Sequence, residues 1–408
     1  MSRSQQSRTA RLLQPFHSPR SRRLLAAFLV SELGDGLTFI IIPLGVYAVS
    51  NSVVALAGTF LGRLLLASAF AALGGAVADR WDRRRTLLVS YAVRALLVVA
   101  LMLIPQGNAG AFALLGILIG ASGSFDNPAA EASLRAAYRH DLQSLAAARK
   151  TGKTLSALAG PALGGLLFGA GGTQLALSVD VATFVIALLV LYPDRPRPPD
   201  PETDQPSDRV IARRVDWRLL GRAPLDARLA FVSTLTGAFL VGLSTVVAVP
   251  YLNGLEHAPP GAYGYAIAAY SVGALAGLWL AGVADWKRYG LRAILVAANL
   301  VYGLLVVLSA AVPTWEVLAA AWLLWGIAFG PEDVVADARV SAVVPDRLLG
   351  RVYAWWSIVS KIGSALAFGG TALLGSADAR TALLVTGCAY AAIVPLLLWS
   401  LGRGTRTL

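Results

Sequence analysis

The sequence predicts an all-α membrane protein of about twelve transmembrane helices, arranged as two pseudo-symmetric six-helix halves. Composition is the first observation, since the 408 residues are 56% hydrophobic and only 14% charged, far too apolar for a soluble protein of this length. The second is that about twelve apolar windows have the roughly 20 residues that a spanning helix needs. The third is a polar motif, Gly-Ala-Val-Ala-Asp79-Arg80, whose fainter echo Gly-Val-Ala-Asp285 follows halfway along the chain.

The predicted spans are separated by short polar breaks, and one long break divides them into two sets. This segment after Tyr192 is rich in proline and charged residues, so it cannot bury a core and is predicted to be an extended linker. The predicted order is a tail at 1–23, a first half at 24–192, the linker at 193–228, a second half at 229–402 and a tail at 403–408. The predicted spans are 24–49, 53–78, 86–104, 110–136, 144–170, 174–191, 229–252, 262–284, 293–312, 315–340, 352–374 and 381–401.

The positive charge is distributed over every second loop rather than on one patch. The formal net charge is +12, and the arginines and lysines of the loops precede the first span and follow the even-numbered spans, with Arg380 as the exception. This is the positive-inside pattern, which predicts a membrane protein with both termini in the cytoplasm. It argues against nucleic acid as a partner, because a nucleic-acid surface concentrates its basic residues on one face.

Three acidic positions recur at one fixed separation. Each pair is 206 residues apart: Asp79 with Asp285, Asp126 with Glu332, and Glu131 with Asp337. Acids are costly inside a bilayer, so the repeat of one acidic pattern in apolar surroundings indicates a duplicated unit with a central cavity between the halves.

Several motifs resemble those of one transporter family. Residues 75–85, Gly-Ala-Val-Ala-Asp-Arg-Trp-Asp-Arg-Arg-Arg, resemble the loop signature between spans two and three of the major facilitator superfamily. The glycines around Pro161 in span five are similar to its exporter signature, and residues 125–129, Phe-Asp-Asn-Pro-Ala, resemble the bacterial drug and siderophore exporter branch of enterobactin exporters and macrolide efflux proteins. The resemblance covers essentially the whole chain and implies the major facilitator fold in a bacterial cytoplasmic (inner) membrane.

Two motifs are predicted to have conformational roles. The resemblance implies that the loop after span two latches the halves at the cytoplasmic side; the alternative is a basic loop that only sets topology. The residues of this loop are Gly75, Asp79, Arg80, Arg83 and Arg84, and Asp285 is the acid of the repeated motif. A bend and close helix contact in span five are expected because proline removes a backbone hydrogen bond and glycine removes side-chain bulk. The residues of this motif are Gly160, Pro161, Gly164 and Gly165.

Span one carries two acids on one face. Glu32 and Asp35 are three residues apart, which places them on the same side of a helix. Arg63 in span two falls at a depth similar to that of Asp35, so a buried Asp35–Arg63 ion pair is one prediction. The other makes Asp35 or Glu32 a proton carrier, whose protonation would switch with a movable partner.

Spans four and ten carry the repeated acids. In the superfamily, spans one, four, seven and ten line the cavity, so the resemblance places Asp126, Glu332 and Asp333 along the pathway. Trp322 and Trp325 are predicted either to stack on a flat or cationic substrate or to serve as packing and interfacial anchors.

Three further charged residues lie within predicted spans. Lys361 and Arg94 are mid-span cations, each either a counter-charge or an anion contact. Asp180 in span six is expected to be a structural partner, because that span is peripheral in the family. No metal or cofactor site is expected, since Cys388 is the single cysteine and the three histidines are far apart in sequence.

The function predicted is secondary active transport, by proton-coupled efflux of small amphipathic compounds such as drugs or secondary metabolites. As an antiporter it would confer multidrug resistance and work as a monomer by alternating access, with a small molecule, protons and membrane lipid as partners. Two alternatives stay open: an importer or uniporter of the same fold, and a non-transporting membrane receptor or scaffold. An enzyme is not predicted, because the acids and histidines do not concentrate at one site.

Overall fold

The computed structural model describes residues 18–80, 82–104, 108–138, 142–193, 224–344, 346–373 and 378–401. Most of both predicted tails and of the predicted linker lies outside the described residues. Element boundaries differ from the predicted spans by a few residues; the first helix, for example, begins at Pro19 rather than at Leu24.

Within the described residues the chain forms eleven long helical elements. They are α1 Pro19–Ser50, α2 Val53–Arg80, α3 Arg83–Met102, α4 Ala109–Ala137, α5 Leu142–Leu191, α6 Leu225–Asn253, α7 Ala262–Val283, α8 Leu291–Ala311, α9 Trp315–Val343, α10 Asp346–Leu373 and α11 Ala379–Leu401. Ten of them are long and apolar enough to cross a membrane. This all-helical architecture confirms the predicted fold class.

The element α5 contains the fifth and sixth predicted spans. Its backbone leaves helical geometry at Gly171 and Gly172, where Gly172 has φ 67° and ψ −164°. Only glycine adopts this combination without strain. The break gives α5 a first arm, residues 142–170, and a second arm, residues 173–191. With the arms counted separately, the described residues form twelve long helical segments, as the predicted spans require.

The described residues divide into two compact units. The first contains the described residues of 1–51 and 62–207, and the second those of 52–61 and 208–408. One core of the first unit joins α1, α3, α4 and the second arm of α5, and its buried side chains include Leu25, Tyr91, Leu134 and Leu191. In the second unit, α7 and α9 approach backbone to backbone: a Cβ on Gly330 would lie 2.1 Å from the carbonyl carbon of Gly277.

The same kind of contact joins α1 to the first arm of α5. A Cβ built on Gly160 would lie 2.6 Å from the Cα of Gly36 and 2.8 Å from the carbonyl oxygen of Leu33. Backbone angles stay helical through this motif, and within α5 they leave the helical region at the Gly171–Gly172 break. Small residues therefore allow these two helices to pack closely, as is common between helices in membranes.

We expect Gly160→Ala to destabilise the protein by about 1–3 kcal/mol, because the added methyl group would meet backbone atoms that cannot move independently. The thermal midpoint of the detergent-solubilised protein measures this effect. Gly369→Ala in α10 is the matched control, since a Cβ there meets no atom within 4 Å. Equal midpoints for the two variants would contradict the role assigned to the α1–α5 contact.

Candidate functional site

Arg94 on α3 lies at the centre of a buried ionic cluster in the first unit. Its side chain is fully buried, and its guanidinium lies 2.9 Å from Asp35 Oδ1 and 3.2 Å from Asp126 Oδ2. It also donates to the hydroxyl oxygens of Ser122 and Ser31. One arginine thus contacts carboxylates from α1 and α4, and such charge-assisted hydrogen bonds compensate for the cost of burying the charge.

The predicted ion pair between Asp35 and Arg63 was wrong. The Nη1 atom of Arg63 donates to the main-chain oxygen of Thr38 at 2.7 Å, and its guanidinium lies 5.6 Å from the centre of the Phe39 ring. Both arginines are near mid-span, but the packing of α3 brings Arg94 rather than Arg63 to Asp35. Asp35 keeps about one third of its side chain exposed, at 32%.

Two other acids of the first unit have cations on the first arm of α5. Lys153 lies 3.3 Å from Glu32 and also contacts the amide oxygen of Asn127. Glu131 pairs with Arg149 at 3.3 Å and with Arg135, four residues further along α4, at 2.6 Å. Glu32, a predicted proton carrier, therefore has a lysine partner in this conformation.

Asp180 is fully buried on the second arm of α5. Its Oδ2 lies 2.7 Å from the hydroxyl oxygen of Thr38 on α1. Its Oδ1 has no hydrogen-bond partner among the described residues. A structural role was expected for this acid, and the structure places it inside the first unit, in contact with α1.

In the second unit, Glu332 on α9 has neutral partners. Its Oε1 accepts a hydrogen bond from the hydroxyl of Ser233 at 2.9 Å and one from the amide of Asn299 at 3.4 Å. Within the described part of the chain, Glu332 forms no ion pair. Asn299 is itself buried, and its Oδ1 has no partner among the described residues.

The two acids that the repeat aligns therefore have different partners at equivalent positions. Asp126 follows Arg94 by 32 residues, and Glu332 follows Asn299 by 33. Each pair joins the third helical segment of its unit to the fourth. An arginine thus faces the acid of the first unit, and an uncharged amide faces the acid of the second.

Glu332 lies on the wall of a cavity in the second unit. The cavity has a volume of about 360 Å³, and Asp333 is the other acid that lines it. No basic side chain is among the described lining residues. Aromatic rings supply much of the wall: Tyr270, Trp325, Phe329, Trp356 and Tyr390. Trp325 stacks on Tyr270 with their ring centres 4.3 Å apart.

The remaining predicted pathway residues have other positions. Trp322 is 8% exposed and packs edge-on against Tyr263, so it belongs to the core. Lys361 is an exposed residue of α10 that follows Ser360 of the cavity wall. The first unit has an apolar cavity of about 450 Å³ between Phe70 and Phe125, with no ionisable side chain among its described lining. The cavity beside Glu332 is therefore the stronger candidate for a binding site.

The predicted gating loop is described in part. Gly75, Asp79 and Arg80 belong to α2, and the side chains of Asp79 and Arg80 lie outside the described part of the structure. Arg84 donates to the main-chain oxygen of Tyr192 at 2.6 Å. Asp82 begins α3 by accepting from the backbone N–H of Arg85, a capping role that suits aspartate.

Arg83 and Asp285 are the remaining charged residues of the predicted gating loop. Asp285 lies between α7 and a short 3₁₀ turn, Trp286–Arg288. Arg83 and Asp285 both have interactions within the protein. The latch function of this loop stays a prediction.

Sequence reasoning missed Asn299, Ser233, Lys153 and the aromatic wall apart from Trp325. A signal existed for Asn299, since it is a lone amide in an apolar span. Its separation from Glu332 in the sequence is nearly the same as that of Arg94 from Asp126. No comparable signal marks Tyr270 or Tyr390, because aromatic residues are common in spanning helices.

Many long apolar helices, duplicated acids and an aromatic cavity that contains two acids define a multi-pass membrane transporter. The chain belongs to the Major Facilitator Superfamily, whose family description matches residues 24–253 and 230–407. This confirms the family resemblance noted in the sequence.

Named relatives support the branch. The chain is 26% identical over 371 residues to the enterobactin exporter EntS of Shigella boydii serotype 4, covering 88% of this chain and 86% of the relative. The values are the same for EntS of Escherichia coli O1:K1. The nucleoside transporter NupG has a similar fold, with a TM-score of 0.69, 15% identity and coverage of 93% of this chain and 99% of NupG. A bacterial homologue of the transporter Spinster has a TM-score of 0.67, 17% identity and coverage of 94% and 97%.

Proposed function

We propose that this protein is a proton-coupled exporter of small amphipathic compounds, either drugs or secondary metabolites, in the bacterial cytoplasmic membrane. Transport is by alternating access, with both termini in the cytoplasm and the monomer as the working unit. The observation that carries the proposal is Glu332, a carboxyl with neutral partners on the wall of an aromatic cavity.

The chemistry of this wall suits exchange. A carboxyl that no arginine or lysine neutralises must take a proton or a cationic ligand when water is excluded, because an isolated charge is costly to bury. Substrate and proton can then replace each other at Glu332. Trp325 and Tyr270 offer flat faces for an aromatic or cationic group, and the rest of the wall suits an apolar body.

The acids of the first unit have a different role in this proposal. Asp35 and Asp126 share Arg94, so one positive charge lies between two carboxyl groups and holds α1, α3 and α4 together. Export as the direction is supported by the relatives, which are named enterobactin exporters.

A susceptibility panel of amphipathic antibiotics and dyes, on cells with and without the protein, identifies a transported compound. That compound is then tested in proteoliposomes with an imposed pH gradient. We expect gradient-driven movement by the wild type, abolished by a protonophore, and its loss in Glu332→Gln, which keeps the hydrogen-bonding shape of the side chain but cannot release a proton.

Glu316→Gln is the matched control, because Glu316 is an exposed residue in the first turn of the same helix. It should move the compound as the wild type does. Wild-type rates for Glu332→Gln would remove Glu332 from the mechanism, and movement that ignores the pH gradient would refute proton coupling.

A further inference from the structure

The hydroxyl of Thr38 has two short contacts but a single proton. Its Oγ1 lies 2.8 Å from the main-chain oxygen of Gly34 and 2.7 Å from Asp180 Oδ2. A carbonyl oxygen can only accept, and a threonine hydroxyl donates once. If Thr38 donates to Gly34, the contact with Asp180 needs a proton from the carboxyl. Without it, two oxygen lone pairs would face each other at hydrogen-bond distance.

The surroundings of Asp180 also disfavour an ionised carboxylate. The residue is 0% exposed, and its Oδ1 has no hydrogen-bond partner among the described residues. That oxygen lies beside Gly34, since a Cβ built on Gly34 would lie 3.1 Å from it. A carboxylate can accept about four hydrogen bonds, so an ionised Asp180 would be left buried with most of its capacity unmet.

The charged groups that face Asp180 come from three other helices. They are Asp35 on α1, Arg63 on α2 and Arg94 on α3. Arg94 is engaged by Asp35 and Asp126, and Arg63 donates to the Thr38 carbonyl. Neither arginine forms an ion pair with Asp180 in the described structure, and Asp35 repels a second negative charge.

We propose that Asp180 is a proton-binding site of the first unit. In this conformation the carboxyl is neutral: its O–H donates to Thr38 Oγ1, and Thr38 donates to Gly34. Release breaks the O–H bond of Asp180 and transfers the proton to a water molecule, which can reach Oδ2 only after α1 and the second arm of α5 rearrange. The claim that this proton is exchanged during transport rests on the proposed function.

This site differs in kind from the other acids of the first unit. Asp35, Asp126, Glu32 and Glu131 each contact an arginine or a lysine. Asp180 has a hydroxyl partner instead. A proton can bind there without breaking the contacts of Arg94. Its binding depends on how closely α1 packs against α5.

Infrared spectroscopy of the protein reconstituted in lipid tests the proton directly. We expect a carbonyl stretch of a protonated carboxyl at neutral pH that Asp180→Asn removes. Asp378→Asn is the control, since Asp378 is an exposed residue before α11, and it should leave the band in place. Thr38→Val keeps Asp180 but removes its acceptor, so the band should shift to higher frequency. If the wild type lacks such a band, or if Asp180→Asn and Thr38→Val both leave it unchanged, the proposal is wrong.

Transport measurements distinguish the coupling role of Asp180 from the proposed function. Asparagine resembles the protonated acid, so Asp180→Asn should retain downhill exchange of the compound and lose accumulation driven by the pH gradient. A lost band with normal accumulation would overturn the coupling role and leave proton-coupled export standing. An absence of gradient-driven transport in the wild type would refute the proposed function and the coupling role together, while the band would still decide whether Asp180 holds a proton.

Discussion

Arg94→Met is expected to lower the free energy of unfolding by about 3–5 kcal/mol, because removing one partner of a buried ion pair leaves uncompensated charge. Arg94 is fully buried and contacts both Asp35 and Asp126. Methionine fills a similar volume, so the loss would come from charge and hydrogen bonding rather than from a cavity. The thermal midpoint in detergent and the yield of monodisperse protein measure the effect.

Compensating substitutions make this prediction specific. Combining Arg94→Met with Asp35→Asn and Asp126→Asn removes the orphaned charges, and most of the lost stability should return. Arg135→Met is the control, since this arginine is 61% exposed in its pair with Glu131, and exposed pairs contribute about 0–1 kcal/mol. If the triple variant is no more stable than Arg94→Met alone, the cost has another origin.

The sequence was enough to predict the helices and their duplication, but not which helices are neighbours. Arg63 and Arg94 both lie near mid-span, and depth alone made Arg63 the expected partner of Asp35. The choice depends on which helix packs against α1 at that level and on the direction of each side chain. These are tertiary properties, and one chain of apolar helices leaves them open because lipid-facing and helix-facing surfaces are similarly apolar.

Asp180 illustrates the same limit. A position in a peripheral span predicted a structural role for this acid but not its partners, and the structure buries it against Gly34 and Thr38 of α1. Gly34 leaves space for the carboxyl, and a threonine one turn later supplies the hydroxyl. Both residue types are abundant in spanning helices, so neither marks a site until the helices are placed side by side.

The repeat of acids was visible in the sequence, but the meaning of the repeat was not. Asp126 and Glu332 look equivalent at a separation of 206 residues. Their partners, Arg94 and Asn299, are displaced by one residue from that register, and only the contacts identify them. The two aligned acids thus differ in the charge of their partner, which is +1 for Arg94 and zero for Asn299. A single substitution can remove this difference.

Asn299→Arg is expected to abolish transport while the protein still folds. The new guanidinium would face Glu332, as Arg94 faces Asp126, and would hold its carboxylate ionised and paired. The cavity beside Leu295 and Glu332 has a volume of about 360 Å³, which offers space for the longer side chain. A paired Glu332 can neither exchange a proton nor receive a cationic substrate.

Transport in proteoliposomes and the thermal midpoint are measured for the same set of variants. Asn299→Gln lengthens the side chain without adding charge and should retain most of the transport. The double variant Asn299→Arg with Glu332→Gln leaves the introduced arginine without its acid, so it should be about 3–5 kcal/mol less stable than Asn299→Arg alone. That loss would establish that the new pair forms. If the pair forms and transport continues at the wild-type rate, the uncompensated charge of Glu332 is not what drives exchange, and the proposed mechanism fails.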